Sequence, residues 1–126
     1  MLIVRQSQLE AMSAGLLHNF KKEVLNHVKR SFRAEYKSLG ESMIRDIIDT
    51  GLKRARRYGL TGMRESCGYI DLMFTFGPNF DKDTRFPWAA SIVQDMTLPQ
   101  DAKHAKLHDA ADLHMRRAGT AGDEYS

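Results

Sequence analysis

The stretch MIRDIIDTGLKRARRYG, residues 43–59, carries the clearest helix pattern in the chain. Its apolar residues recur at steps of three or four, the spacing that places them on one face of an α-helix. An acidic residue comes early, four basic residues come late and Gly59 follows. This order suits the helix dipole and a left-handed C-terminal cap. The stretch therefore predicts an amphipathic helix that stops just before Gly59.

A second regular pattern lies upstream, from about Gln6 to Lys37. It predicts one long amphipathic helix, with a bend near Gly15 or fraying near Arg33 as the expected irregularities. The apolar face of this helix consists of Leu9, Met12, Leu16, Phe20, Val24, Val28, Phe32 and Tyr36.

Downstream, residues 63–76 are apolar around nearly the whole helical circumference, which predicts a helix buried on most sides. Thr61 or Gly62 can cap it, and Gly77-Pro78 ends it. A loop follows over residues 79–86, and Pro87 then suits the first turn of a short fourth helix. Pro99 similarly opens a fifth helix, from about Gln100 to Arg117. We expect an all-α fold, a compact single-domain bundle of about five helices over residues 1–118, with a frayed tail over residues 119–126.

Length and composition agree with one ordered domain. The chain has 126 residues, of which 42% are hydrophobic and 28% charged, with a net charge of +3. The start, MLIVRQSQLEAM, lacks the long apolar stretch of a signal peptide or membrane span, so a cytoplasmic, non-membrane protein is expected. The single cysteine, Cys67, cannot form an internal disulfide and is interpreted as a buried structural thiol.

Catalytic patterns are absent from the sequence. It contains no Gly-rich phosphate loop and no G-x-S-x-G motif, so we expect no enzyme and no cofactor. His104 and His108 stand one helical turn apart, the spacing of two metal ligands, with His114 further along. The supporting residues of a metal site are missing around them, so a solvated helix face is favoured and no metal site is predicted.

Acidic residues near the centre of the chain are interpreted as structural. Asp71 lies within an apolar run, where a charge must be paired, and Arg54 or Arg57 is its expected partner. Asp81 and Asp83 form a D-x-D pattern that could ligate a cation, but no bidentate Glu follows at calcium-loop spacing. Capping of backbone amides, or a pair with Arg85, is the preferred interpretation.

Basic residues along the first helix and at the end of the second leave nucleic-acid binding open as an alternative function. No helix-turn-helix, zinc-finger or RNA-binding motif accompanies them, and acidic residues are interspersed among them. The basic residues are Lys21, Lys22, Lys29, Arg30, Arg33, Lys37, Lys53, Arg54, Arg56 and Arg57.

The centre of the chain resembles a family of small uncharacterised bacterial proteins. The matching features are Tyr58-Gly59, Cys67, the segment Tyr69 to Phe74, the pairs Phe76-Gly77 and Phe80-Asp81, and Pro87-Trp88-Ala89. With a similar N-terminal Ile-Val-Arg-Gln, the resemblance covers most of residues 1–95. Such proteins tend to be encoded beside type VI secretion toxin or effector components. The resemblance implies an adaptor, chaperone or immunity-like protein and supplies no catalytic residues.

These observations predict a non-enzymatic protein-binding module, whose partner is a secreted toxin or effector or a component of the secretion apparatus. A small basic nucleic-acid-binding or regulatory protein is the alternative. The aromatic residues of the central loop can anchor a partner, or they can pin the loop to the core, and the sequence leaves both open. The predicted partner-binding residues are Phe80, Asp81, Asp83, Arg85, Phe86, Trp88, Arg30 and Arg33.

Overall fold

The computed structural model describes residues 13–124, and the side chains of residues 13–118. Within this range it contains six α-helices and one 3-10 turn, and the all-α prediction is confirmed. The helices are α1 (Ala14–Ser31), α2 (Arg33–Leu39), α3 (Glu41–Arg57), α4 (Met63–Phe76), α5 (Pro87–Val93) and α6 (Gln100–Glu124), with the 3-10 turn at Phe80–Lys82.

The sixth helix arises because the predicted first helix is broken at Phe32. The backbone of Phe32 leaves the helical region, at φ −129° and ψ 57°, and its ring packs 5.4 Å from the ring of Phe74. This break lets α2 return toward α3, where the Tyr36 hydroxyl donates a hydrogen bond to Glu41. Ser13 caps the start of α1 by accepting a hydrogen bond from the Leu16 amide. The part of the prediction before Ser13 lies outside the described residues.

The predicted boundaries of α3 and α4 are confirmed. Gly59 follows α3 with φ +85°, the left-handed conformation that glycine adopts without a steric penalty. Gly62 is the residue before the first turn of α4, and Gly77 follows its end.

At the C-terminus α6 continues to Glu124, beyond the predicted end at Arg117. Tyr125 and Ser126 lie outside the described residues, and fraying of the tail stays a prediction.

Helix α4 lies at the centre of the bundle, as its apolar circumference predicts. On one side, Ile70 and Phe74 join a core cluster formed with α1 and α3. On the other, Tyr69, Leu72 and Met73 join a second cluster formed with the 3-10 turn, α5 and α6. Burial of these side chains contributes about 1.5–3 kcal/mol each. Together the two clusters fix the helices around α4.

A buried lysine joins three of the helices. Lys103 of α6 is only 2% exposed, and its ammonium group donates hydrogen bonds to the carbonyl oxygens of Tyr58, 2.7 Å away, and Val93, 2.9 Å away. These carbonyls lie at the C-terminal ends of α3 and α5, where a cation complements the helix dipole. Burial lowers the pKa of Lys103 from its ordinary value. The carbonyl oxygens satisfy a charge that would otherwise be costly to bury.

Within the described residues no helix is both long enough and apolar enough to cross a membrane.

Candidate functional site

The aromatic loop between α4 and α5 is held mainly against the core. Phe80 is 0% exposed and Phe86 is 6% exposed, so neither ring offers a free surface to a partner. Trp88 is half-buried, with its ring 5.5 Å from Phe76. Of the two interpretations that the sequence left open, the contacts of these rings favour packing.

The acidic residues of this loop also have internal partners. Asp83 and Arg85 form a two-point ion pair, with Arg85 Nη2 2.7 Å from Asp83 Oδ2, and the Arg85 amide donates to the same carboxylate. This is the pairing that the sequence favoured over a cation site. Both groups lie at the surface, and their pKa values move apart, Asp83 below its ordinary value and Arg85 above it, because of their mutual hydrogen bonds.

Asp81 is a buried carboxylate, at 1% exposure. The Tyr58 hydroxyl donates a hydrogen bond to Asp81 Oδ2, and Arg54 Nη1 lies 3.9 Å from Oδ1. Arg54 also donates to the carbonyl oxygen of Pro78, which ties α3 to the loop. Burial and then the hydrogen bond to Asp81 raise the pKa of Tyr58 to about 12. Asp81 is therefore a structural residue at the join between α3 and the loop.

The predicted partner of Asp71 was wrong. Arg54 is engaged with Asp81 and Pro78, and Asp71 instead contacts His27 of α1, with His27 Nε2 2.7 Å from Asp71 Oδ1. The reason is that Asp71 lies on the face of α4 turned toward α1, while Arg54 reaches the loop. Both members of the pair keep nearly a third of their side-chain surface exposed, 32% for His27 and 31% for Asp71.

Cys67 lies one helical turn before Asp71 and completes a cluster with these two residues. Its thiol, a His27 ring nitrogen and an Asp71 carboxylate oxygen all lie within 4.8 Å of one another. The thiol is half-buried, less enclosed than the sequence suggested. Burial and then the Asp71 charge raise its pKa to about 11. A neutral thiol is a poor nucleophile, which disfavours cysteine catalysis at this position.

The predicted histidine pair on α6 packs against α4, beside the turn that carries Cys67 and Asp71. His104 and His108 are half-buried against Gly68, and not on a solvated face as expected. A Cβ at Gly68 would lie 2.3 Å from His104 Cε1 and 2.8 Å from His108 Nε2, so only glycine admits both rings. Burial, then the His108 and Arg64 charges, lower the pKa of His104. His114 packs edge-on against Phe86, with ring centroids 5.0 Å apart.

His108 lines the cavity beside Asp71 and has an unpaired ring nitrogen. Its Nε2 atom is buried and has no hydrogen-bond partner among the described residues. His27, Asp71 and His108 all line this cavity, which has a volume of about 280 Å³. A second cavity, of about 400 Å³, opens on the other side of His27 and reaches Cys67 and Arg30. The cluster is thus accessible from two directions.

A groove between α1 and α3 is a further concave surface. Its wider part, about 310 Å³, has Leu17 and Leu52 on its floor and Lys21, Lys53 and Arg56 around it. It continues into a narrower part of about 240 Å³, because Lys21 and Asp49 line both. The narrower part is also lined by His18, Lys22, Leu25, Arg45 and Ile48. The groove is therefore apolar at its base and mainly basic around it.

Asp49 lines both parts of this groove and is paired with a base, since Lys21 Nζ is 3.0 Å from Asp49 Oδ1. Arg45, in the narrower part, is paired with Glu41 one turn away on α3. Lys22 and Lys53 form no ion pair within residues 13–118. Arg30 and Arg33, predicted from the sequence as binding residues, are exposed but lie outside the groove.

The sequence did not single out His27, which links the cluster to α1. The available signal was its position three residues after Val24 and one before Val28, at the edge of the buried face of α1. Comparison of the chain with protein-family models, characterised proteins and solved structures finds no match.

Proposed function

We propose that the protein is a non-enzymatic binding module that holds an acidic, amphipathic segment of a partner protein in the groove between α1 and α3. The observation that carries the proposal is the combination of an apolar floor, Leu17 and Leu52, with basic residues around it. An amphipathic helix buries its apolar face in such a groove. Its acidic residues would then meet Lys53 and Lys22.

The resemblance of residues 1–95 to proteins encoded beside type VI secretion components suggests the source of that partner. A secreted toxin or effector, or a component of the secretion apparatus, fits an adaptor, chaperone or immunity-like role. The aromatic loop, the other candidate surface from the sequence, gives less support because Phe80 and Phe86 are buried.

A protein partner fits the groove better than a nucleic acid does. Asp49 lies along it, and its carboxylate would repel a phosphate backbone as it neutralises Lys21. An apolar floor also offers nothing to a phosphate. Nucleic-acid binding remains the alternative that the experiment below separates.

The proposal is tested by capturing partners on the full chain from its host and then measuring the binding of each identified protein to purified variants. Lys53→Glu reverses one charge in the groove, and Leu17→Asp places a charge on its floor. Lys37→Glu is the matched control, because Lys37 is an exposed lysine on α2 that does not line the groove. We expect both groove variants to weaken binding at least about tenfold, the loss of roughly 1.4 kcal/mol, and the control to bind as the wild type does.

Three results would contradict this account. Nuclease-sensitive capture would favour the nucleic-acid alternative. Equal binding by wild type and both groove variants would remove the groove from the interface. Loss of binding in Arg30→Glu or Arg33→Glu, with the groove variants unaffected, would move the interface to the exposed side of α1 and α2.

A further inference from the structure

The cluster formed by His27, Cys67 and Asp71 is separate from the groove and has the composition of a metal site. Cys67 and Asp71 stand at i and i+4 on α4, so one face of that helix presents a thiol and a carboxylate side by side. His27 reaches them from α1, and its ring nitrogen is 2.7 Å from Asp71 Oδ1. All three donor atoms lie within 4.8 Å of one another.

We propose that His27, Cys67 and Asp71 bind a divalent transition metal ion, with Zn²⁺ as the ion that the donor set fits best. One sulfur, one imidazole nitrogen and one carboxylate oxygen are the three donor types that zinc accepts in proteins. Magnesium and calcium prefer oxygen ligands alone, and the thiol and imidazole do not suit them.

The spacing of the donors is close to what tetrahedral zinc requires. With zinc–ligand bonds of about 2.0–2.3 Å, neighbouring donor atoms are separated by roughly 3.3–3.6 Å. The hydrogen-bonded pair of His27 and Asp71 would open by less than about 1 Å, and the thiol would close by at most about 1.5 Å. Side-chain rotation suffices for such shifts, because His27 and Asp71 are nearly one-third exposed.

The protons of His27 and Cys67 can also be accounted for when the ion binds. His27 would bind the ion through Nε2 and carry its proton on Nδ1, which lies 3.5 Å from the Ser31 hydroxyl oxygen. A hydrogen-bond acceptor beyond the ligating nitrogen is a regular feature of metal-bound histidines. The Cys67 thiol would lose its proton to solvent as the sulfur–zinc bond forms. The thiolate and the Asp71 carboxylate together balance the two positive charges of the ion.

An independent observation on a third helix points to the same place. The buried Nε2 of His108 has no hydrogen-bond partner among the described residues, and His108 is one of the residues that line the cavity beside His27 and Asp71. Unpaired buried nitrogen is costly, and a metal-bound water or the ion itself would satisfy it. Three protein ligands with one further position is the arrangement of zinc sites that remain open to solvent.

Cobalt substitution is the direct test, because the chain contains one cysteine only. The purified full-length protein, stripped with EDTA, is titrated with Co²⁺ and followed by absorbance. We expect a thiolate-to-cobalt charge-transfer band and the intense visible bands of tetrahedral cobalt, both displaced by Zn²⁺. Absence of the charge-transfer band at saturating Co²⁺ would overturn the proposal, since any such band must come from Cys67.

Variants then assign the ligands. Cys67→Ser, Asp71→Asn and His27→Gln are each expected to weaken Zn²⁺ binding roughly 100-fold or more, above the loss seen when only an outer partner is removed. His18→Gln is the control, because His18 is an exposed histidine on α1 outside the cluster. Circular dichroism establishes that each variant is folded. Wild-type affinity in folded Cys67→Ser, or an equal loss in His18→Gln, would contradict the assignment.

Discussion

Asp71 and Asp81 are carboxylates in the most apolar part of the chain, and their surroundings differ in every respect that matters for function. Asp81 is enclosed, accepts a hydrogen bond from Tyr58 and lies beside Arg54. Asp71 is partly open, contacts only an imidazole among the described side chains, and faces a cavity and a thiol. A carboxylate closed in by its partners holds the fold, whereas one left accessible beside other donor atoms can take a ligand.

The largest expected effect comes from removing the enclosed charge. Asp81→Asn should lower the free energy of unfolding by about 2–3 kcal/mol, because the Tyr58 hydroxyl and the Arg54 guanidinium lose a charged partner in a buried place. Denaturant unfolding measures the change. A loss below about 0.5 kcal/mol, the size of an ordinary surface substitution, would show that Asp81 is not the structural carboxylate.

Removing the buried cation of α6 should have the next largest effect. Lys103→Met keeps most of the side-chain volume but leaves the carbonyl oxygens of Tyr58 and Val93 without their donor. We expect a loss of about 1–2 kcal/mol in unfolding free energy. Lys106→Met, an exposed neighbour on the same helix, is the control and should change little. Equal stability of the two variants would contradict the role given to Lys103.

Alkaline pH should destabilise the fold through the tyrosines beside Asp81. The folded-state pKa of Tyr58 is raised to about 12, and that of Tyr69 is raised further, whereas both hydroxyls ionise near 10 in the unfolded chain. Between these values the folded state holds more protons, so stability is complete below pH 10 and falls as the pH rises through about 12. The unfolding free energy, measured from pH 9 to 12, should fall less steeply with pH for Tyr58→Phe than for the wild type. Parallel slopes would contradict the assignment to Tyr58.

The smallest effect is expected at the accessible carboxylate. In EDTA, Asp71→Asn should change the unfolding free energy by less than about 1 kcal/mol, because its hydrogen-bonded contact with His27 is partly exposed to solvent. The same denaturant measurement checks this. A loss as large as that of Asp81→Asn would show that Asp71 is also a structural residue, and the difference between the two sites would disappear.

Much of the fold could be predicted from local patterns, because they are set by residues close in sequence. The apolar stripe and charge order of α3, the Gly59 stop and the largely apolar circumference of α4 each correspond to an observed element. The break at Phe32 was not predicted, and only fraying near Arg33 was expected, because the break depends on the contact of that ring with Phe74, 42 positions later in the sequence.

The candidate sites were harder to predict, because the pairing of side chains across helices produces no pattern among residues that are close in sequence. The sequence identified Asp71 as a charge in need of a partner but could not distinguish Arg54 on α3 from His27 on α1. The histidines of α6 carried a recognisable spacing, yet their burial follows from Gly68 on another helix. The basic residues of the groove were named, whereas its apolar floor became visible only with α1 and α3 packed together.

The most direct test of the difference between the two carboxylates is one set of unfolding curves, for wild type, Asp71→Asn and Asp81→Asn, with EDTA and with Zn²⁺ at about 100 times its dissociation constant. Binding to the folded state alone should stabilise the wild type by about 2.7 kcal/mol. We predict that Asp81→Asn is less stable but gains a similar amount from zinc, and that Asp71→Asn is nearly as stable as wild type in EDTA and gains almost nothing. Equal gains in all three proteins, or none in the wild type, would contradict the account.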